Sequence, residues 1–330
     1  MKRIDTHSHV IPETILNAMR AQPDLYHTRI EGERGSYTFV RGKVRFDLVA
    51  EFYDAEAKLE SMDRKRIDIS YISPGPQTFF YGLGADHSLK TAALVNDGIA
   101  QMVATRPDRL RGMATLPMQH PDAAITELER VVKEHGFKAV EMGTAIGEEE
   151  LADAKFRPVL KRLQELKVVV FAHPNTQGAG GRLDCYYLGN LIGNPLDTTI
   201  MVGKLMFSGA LDELKDLKIL LAHGGGFLPY QIGRFEHGHT VRPDTRAATP
   251  TKPLHMFKQF YFDALTHHPR ATRHLLDMVG SGHVVISTDS PFDMGEEQPL
   301  AHLDQVPGLT QQEREDVSFR TAAALFGDKY

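Results

Sequence analysis

Two histidines separated by one residue, His7 and His9, are the side chains that say most about the chemistry of this sequence. They follow residues 2–5, which the pattern predicts to be a short buried strand. Side chains two apart on a strand point the same way, so the two imidazoles project together at the end of that strand. Imidazole is a common ligand of zinc, iron and manganese. An isolated His-x-His pair fits two surface histidines equally well, so its meaning depends on the rest of the chain.

Three more ligand-type residues, His173, His223 and Asp289, each come directly after an apolar run. Taken singly, each has an ordinary explanation as a loop histidine, a residue at a helix start or an aspartate in a turn. Together with the His-x-His pair they form an ordered series in which every member ends a predicted strand. Four histidines and one aspartate at one place supply the ligands of a single metal ion and leave an acid/base to spare.

The elements that must position these residues alternate between strand and helix. Short runs rich in Val, Ile, Leu and Phe predict strands, and amphipathic stretches between them predict helices. The predicted strands are residues 2–5, 67–73, 110–116, 137–142, 168–172, 217–222, 259–263 and 284–287, and the predicted helices include residues 55–66, 88–105, 122–134 and 156–166. Eight such strands predict an α/β fold, a distorted (β/α)8 TIM barrel in a single domain over residues 1–330. The alternative is an open doubly wound sheet, but its Gly-rich turn after the first strand is replaced here by the two histidines.

Residues 26–49 do not fit the alternation. Their apolar and polar residues alternate on both sides of Arg41-Gly42, which predicts a small β-hairpin inserted after the first strand. Insertions that follow barrel strands lie on the face where the strands' carboxyl ends meet, so we expect this hairpin beside the site.

Charge and cysteine content narrow the possible partners. A formal net charge of −5 gives no electrostatic argument for binding nucleic acid. No apolar stretch is long enough to cross a membrane and the first residues lack the layout of a signal peptide, so we expect a cytoplasmic protein. Because Cys185 is the only cysteine, any metal must be held by histidine and carboxylate.

Six motifs in this chain resemble the amidohydrolase superfamily, and in particular its branch containing 2-amino-3-carboxymuconate 6-semialdehyde decarboxylase. The motifs lie in family order and span essentially the whole chain. They are residues 3–12, 112–119, 171–174, 222–229, 232–234 and 288–292, of which the fourth reads Ala-His-Gly-Gly-Gly-Phe-Leu-Pro and the last Thr-Asp-Ser-Pro-Phe. This branch also holds non-oxidative decarboxylases of aromatic acids, with some hydratases and hydrolases.

The resemblance implies a specific metal site. His7, His9, His173 and Asp289 would bind one divalent ion, zinc in the first place, with manganese or another divalent ion as the alternative. His223 would stay off the metal as the acid/base that activates water or moves a proton at the reacting carbon, and Asp289 would share that catalytic task. Dinuclear members carry a carboxylated lysine after the fourth strand, where this chain has Glu-Met, so a mononuclear site is favoured.

The resemblance also implies how a carboxylic acid substrate is held. Arg45, in the predicted hairpin, and Arg234 match arginines that bind substrate carboxylates, and the second reaches in from a neighbouring subunit, which implies a homodimer or higher homo-oligomer. A guanidinium offers a bidentate fork to a carboxylate. Phe292 and Asn175 would line the pocket, and Asn175 stands where the decarboxylase has tryptophan. Tyr186-Tyr187 and Ser290 also depart from the family pattern. The resemblance is therefore a better guide to the metal chemistry of this chain than to its substrate.

Three functions remain open from the sequence. The first is a metal-dependent non-oxidative decarboxylase of a small aromatic or unsaturated, carboxymuconate-type acid, in which the carbon that loses CO2 is protonated by His223 or Asp289. The second is a metal-dependent hydrolase or hydratase of a related acid that uses the same residues. The third is a non-catalytic metal-binding barrel, in which His223 would have no task.

Overall fold

The structure, a computed structural model, describes residues 2–175 and 180–328. Its main sheet has eight parallel strands, and each pairs with the next in chain order. They are β1 (Ile4–Val10), β2 (Ile69–Pro74), β3 (Leu110–Ala114), β4 (Ala139–Gly143), β5 (Val169–His173), β6 (Ile219–Leu221), β7 (Phe260–Asp263) and β8 (Val284–Val285). The predicted series of eight strands is therefore confirmed.

The sheet closes on itself where β1 meets the residues that follow β8. The backbone amide of Thr6 donates to the carbonyl of Ile286 at 3.2 Å, and the amide of Asp289 donates to the carbonyl of His7 at 2.7 Å. These bonds make a barrel, so the barrel prediction is confirmed and the alternative of an open sheet is wrong. The barrel is distorted because β8 is only two residues long and the register of β1 on β2 shifts between Asp5 and Ser8.

Helices lie between the strands, as the alternation predicted. The α-helices span Glu13–Ala21, Pro23–Tyr26, Ala55–Arg64, Ala85–Thr105, Pro121–Arg130, Arg157–Glu165, Asn194–Phe207, Ala210–Glu213, Leu228–Val241, Pro253–Met256, Pro269–Val279, Pro299–Asp304, Gln311–Glu315 and Thr321–Phe326. Among the residues that the structure describes, none of these helices has the length and apolar character needed to cross a membrane.

The inserted segment forms a three-stranded antiparallel sheet with strands Arg29–Glu31, Thr38–Arg41 and Val44–Asp47. The last two strands are the predicted hairpin, and Gly42 turns between them with φ +57°, a conformation that suits glycine. The first strand was not predicted. Phe39 lies opposite Phe46 in this sheet, and their rings are stacked at 5.1 Å. One face of the inserted sheet is therefore aromatic; we call it the inner face.

Alternate residues of the barrel strands point into the barrel or toward the helices. Ile4, Tyr71 and Phe171 belong to one buried cluster, which Phe326 joins from the last helix, and the rings of Tyr71 and Phe326 stack at 3.9 Å. Because side chains two apart on a strand share a side, His173 continues the row of Phe171 at the carboxyl end of β5. The functional side chains therefore lie at the opposite end of the barrel from Phe326.

Candidate metal centre and active site

His7 and His9 lie within β1. The sequence predicted that this strand ends at residue 5, but it continues to Val10 because its backbone stays paired with β2, with His9 opposite Ser73. Both histidines are fully buried. The prediction that their rings project together is confirmed, since the Nε2 atoms of His7 and His9 lie 2.9 Å apart.

The donor atoms of the predicted metal ligands converge at this point. Asp289 Oδ1 lies 3.2 Å from Nε2 of both His7 and His9, and the His173 ring is centred 5.2 Å from that of His7 and 5.0 Å from that of His9. Asp289 Oδ1 is buried and has no hydrogen-bond partner. Ligands at about 2.1 Å from one cation lie about 3 Å from one another. The spacing and the lone buried oxygen therefore fit a divalent metal ion.

The charges of the site favour a cation. Burial opposes a charged His7, but the carboxylates of Asp289 and Asp263 outweigh it and raise the pKa of His7 to about 10. Burial also opposes ionisation of Asp289, yet the neighbouring histidines, His7 first, hold its pKa well below the usual range. Burial, with the other histidines nearby, keeps the pKa of His173 well below its usual value, so His173 is a neutral imidazole with a free lone pair.

Asp263, at the end of β7, orients the site and was not predicted. Its Oδ2 lies 2.8 Å from His7 Nδ1. Because a carboxylate only accepts, Nδ1 keeps a proton toward Asp263, and a bound metal ion would take the place of the second proton of His7, the one on Nε2. Asp263 also accepts from the backbone amides of His223 at 2.9 Å and Gly224 at 2.7 Å. One carboxylate thus connects His7, a predicted metal ligand, to the turn that carries His223.

Glu141, in the middle of β4, is a second acidic residue that was not assigned to the site. It is fully buried, neither of its carboxylate oxygens has a hydrogen-bond partner, and Oε2 lies 3.6 Å from His9 Nδ1. Two sets of donor atoms each lie within 4.8 Å of one another: His7, His173, His223 and Asp289, and His9, Glu141 and His173. The distances between donor atoms therefore do not show by themselves which residues bind the metal and which one acts as the acid/base.

His223 differs from the other donors in its backbone and its exposure. Its φ is +55°, a strained conformation for a residue with a side chain, and Gly224, Gly225 and Gly226 continue with positive φ. A Cβ on Gly225 would lie 2.6 Å from the Phe262 ring, so this close turn requires glycine. The turn leaves the side chain of His223 16% exposed, with Nε2 3.6 Å from Asp289 Oδ2.

Lys58 connects β1 with the segment that follows β8. It belongs to the helix Ala55–Arg64 and is fully buried, and its Nζ lies 3.0 Å from Ser8 Oγ, 3.0 Å from Glu51 Oε1 and 3.4 Å from the Ser290 carbonyl. Ser8 lies between the two histidines of β1, and Ser290 follows Asp289. The sequence signal for this role is a lysine on the buried stripe of an amphipathic helix.

A cavity of about 850 Å³ opens in front of the site, and His173, His223 and Asp289 line it. The predicted pocket residues Asn175 and Phe292 also line it. The Phe292 ring is centred 5.2 Å from that of His9, and Asn175 Oδ1 is buried without a hydrogen-bond partner. Polar groups and an aromatic ring thus face the same space as the metal ligands.

The two predicted carboxylate binders lie farther out. Arg45 lines the rim of the cavity, but its side chain is 61% exposed and its Nη1 pairs with Glu31 Oε2 at 3.0 Å. Arg234 is exposed on the helix Leu228–Val241 and is not among the residues that line this chain's cavity. Within one chain, Arg45 therefore adjoins the site and Arg234 does not.

A barrel that gathers four histidines and three carboxylates at the carboxyl side of its strands defines a metal-dependent barrel enzyme. The chain belongs to the amidohydrolase family, whose profile matches residues 4–327.

Named relatives agree with this assignment. The chain is 29% identical over 328 residues to 2-amino-3-carboxymuconate-6-semialdehyde decarboxylase of Dictyostelium discoideum, and the match covers 98% of this chain and 91% of that protein. The fold matches the apo form of IDCase from Metarhizium anisopliae with a TM-score of 0.87 at 22% identity, over 99% of this chain and 97% of that one. It also matches a dihydroxybenzoic acid decarboxylase from a Polaromonas species, solved with manganese and 2-nitroresorcinol, with a TM-score of 0.81 at 22% identity over 99% and 97% of the two chains.

Proposed function

We infer that this chain is a metal-dependent non-oxidative decarboxylase, a carboxy-lyase, of a small aromatic or unsaturated, carboxymuconate-type carboxylic acid. The observation that carries the inference is the position of His223, which faces the cavity beside Asp289 and is the most open donor of the site. A proton donor at this place is what a carbon that has lost CO2 requires. The full-length similarity to a decarboxylase supports the same reaction.

The proposed ligands of one divalent ion per chain are His7, His9, His173 and Asp289. Zinc is the proposed ion, and manganese, which the Polaromonas structure holds, is the alternative. When bound, the ion supplies a Lewis acid that stabilises the negative charge left as CO2 departs. The buried, partnerless oxygen of Asp289 supports this ligand set.

The chain's own residues position and move the proton. Asp263 holds His7 in one tautomer and, through two backbone amides, fixes the turn that presents His223. His223 delivers the proton to the carbon that loses CO2, and Asp289, 3.6 Å from His223 Nε2, stabilises the charged imidazole before that transfer. Phe292 lies beside His9 and gives this part of the cavity an apolar surface.

Substrate binding and assembly are part of the proposal. Asn175 and Phe292 contact the acid in the cavity, and Arg45 meets its carboxylate at the rim. Arg234 contributes to the cavity of a neighbouring subunit, so the active unit is a homodimer or a higher homo-oligomer. The exposed location of Arg234 supports this role. A cytoplasmic location fits the single, exposed cysteine.

Metal analysis followed by a substrate screen tests the proposal. We expect about one divalent ion per chain and metal-dependent CO2 release from at least one member of a panel of hydroxybenzoates and carboxymuconate-type acids. His173→Ala and Asp289→Ala should lower both metal content and turnover. Turnover of these acids without CO2 would instead show a hydrolase or hydratase, and metal binding with no turnover of any acid would support a non-catalytic barrel.

A further inference from the structure

Glu141 is a glutamate inside the barrel that no step of the proposed reaction uses. It lies opposite Phe171 in the pairing of β4 with β5. Ala139, two residues earlier and so on the same side of the strand, belongs to the buried apolar cluster that contains Phe171. The side chain of Glu141 is fully buried, and neither carboxylate oxygen has a hydrogen-bond partner. Burying a carboxylate without hydrogen bonds is costly, so a cation nearby would stabilise it.

Glu127, the other buried glutamate in the described part of the chain, shows the usual arrangement. It accepts hydrogen bonds from Asn96 Nδ2 at 2.6 Å and from Arg130 Nε and Nη2 at 2.8 Å each. The fold itself therefore supplies the partners that a buried carboxylate needs. Over the residues that the structure describes, the basic side chains that reach Glu141 are instead two proposed metal ligands, His9 and His173.

The two oxygens of Glu141 face the same ring nitrogen of those two histidines. Oε2 lies 3.6 Å from His9 Nδ1, and Oε1 lies 4.0 Å from His173 Nδ1. His9 Nδ1 also lies 3.3 Å from the carbonyl oxygen of Pro74, and His173 Nδ1 lies 2.8 Å from that of Pro174. Because a carbonyl only accepts, both Nδ1 atoms keep a proton on this side, and a metal ion would bind on the side of Nε2.

We propose that Glu141 is a positioning residue whose charge, held behind His9 and His173, strengthens the binding of a divalent cation without contacting it. A cation at the Nε2 atoms makes both Nδ1–H groups more positive, so the carboxylate that faces them favours the metal-bound state. Burial reduces the screening of this attraction. The inference rests on the proposed ligand set. Asp263 contacts His7, and Glu141 serves the other two histidine ligands.

The metal affinity of matched variants tests this role without turnover. Glu141→Gln keeps the shape of the side chain and removes its charge. We expect the dissociation constant for Zn²⁺ to rise roughly 10–100-fold, as it does when other carboxylates behind metal-bound histidines are removed. Competition with a metal-binding dye, on the full chain after removal of its metal, measures that constant. Glu141→Asp, which keeps the charge on a shorter side chain, should recover part of the affinity.

The control is Glu127→Gln, which removes the same charge from a buried glutamate of the helix Pro121–Arg130. This variant weakens the contacts with Arg130, so it should lower the unfolding temperature of the metal-free chain and leave the dissociation constant for Zn²⁺ unchanged. A Glu141→Gln chain that binds Zn²⁺ as tightly as wild type would overturn the proposed role. Equal losses of affinity in the two variants would overturn it as well, because a shared loss would come from the fold.

Stoichiometry separates a positioning residue from a ligand. Loaded with Co²⁺, wild type and Glu141→Gln should each bind about one ion per chain. The intensity of the visible Co²⁺ absorption should be the same in both, because the coordinating atoms are unchanged. A second ion in wild type that Glu141→Gln loses would make Glu141 a ligand and contradict the positioning role.

The same variants separate this inference from the proposed reaction. If no acid releases CO2 but Glu141→Gln weakens metal binding, the reaction is wrong and the positioning role stands. If CO2 is released and the affinity does not depend on Glu141, only the positioning role is wrong. With a substrate in hand, excess Zn²⁺ should restore much of the turnover that Glu141→Gln loses, because this variant lacks metal and not the acid/base.

Discussion

At the scale of single residues, His223 combines a strained backbone with the most exposed ring of the site. His223→Ala should keep the metal, because four other donors remain, and should lose roughly 10²–10⁴-fold in kcat, the usual contribution of an acid/base. Metal analysis and CO2 release on the same sample measure the two effects. Loss of the ion from this variant would make His223 a ligand and contradict the division of roles.

Asp263 should affect the affinity for the metal without binding the metal itself, because it acts through His7. Asp263→Asn removes the charge that fixes the tautomer of His7, so we expect metal affinity to fall roughly 10–100-fold, as for other carboxylates that orient metal-bound histidines. Competition with a metal-binding dye gives the dissociation constant. Asp244→Asn, at an exposed aspartate, is the matched control and should change nothing. An unchanged affinity in Asp263→Asn would show that His7 needs no partner.

The sequence contains enough information to propose metal ligands, but not to find the residues that hold those ligands in place. His173, His223 and Asp289 each follow an apolar run, and that local pattern marks strand ends. Asp263 also ends a strand, but its task depends on His7, 256 residues away in the chain, and no local pattern reports that contact.

At the scale of elements, the turn after β6 depends on glycine for space as well as for φ. Gly225 has φ +77°, and a Cβ there would lie 2.6 Å from Phe262. Gly225→Ala should lower the free energy of unfolding by about 1–2 kcal/mol for backbone strain and about 1–3 kcal/mol more for the clash, and should reduce kcat by displacing His223. Urea unfolding and CO2 release measure both.

Gly136→Ala is the control for that turn. Gly136 has φ +66°, but a Cβ added there would meet no other atom within 4 Å, so only the backbone strain of about 1–2 kcal/mol applies. Its activity should stay at the wild-type level. Equal destabilisation in the two variants would mean that Phe262 moves aside and that the turn is less tightly packed than the structure shows.

Element boundaries were harder to predict than element types. The first strand extends to Val10 rather than ending at residue 5, because β2 and the residues after β8 both pair with its second half. The strand Arg29–Glu31 was missed because three residues are too few to show alternation. The long amphipathic helix Ala85–Thr105 extends only three residues beyond its predicted start, since its periodic apolar face is a strong local signal.

At the scale of the whole molecule, a shared site predicts complementation between inactive chains. Arg234→Ala and His223→Ala homo-oligomers should both be weak or inactive. If Arg234 serves the neighbouring cavity, a mixed dimer has one site with both residues intact, so activity should partly return after subunit exchange. Light scattering checks the assembly, and CO2 release measures recovery. No recovery after confirmed exchange would contradict a shared site.

At the seam of the barrel, where β1 meets the segment after β8, Ser8 contacts Ser290, which lies 282 residues further along the chain. An ion held by His7 and Asp289 would act as a removable cross-link that closes residues 7–289 into one loop. Closing so long a loop restricts the unfolded chain by an amount comparable to a long-range disulfide, about 5–6 kcal/mol in the chain-entropy account. Chelation also removes the link between His7 and Asp289 at the seam itself, so hydrogen exchange should speed up first at the amides of Thr6 and Asp289, while those of β3, which carries no proposed ligand, stay protected.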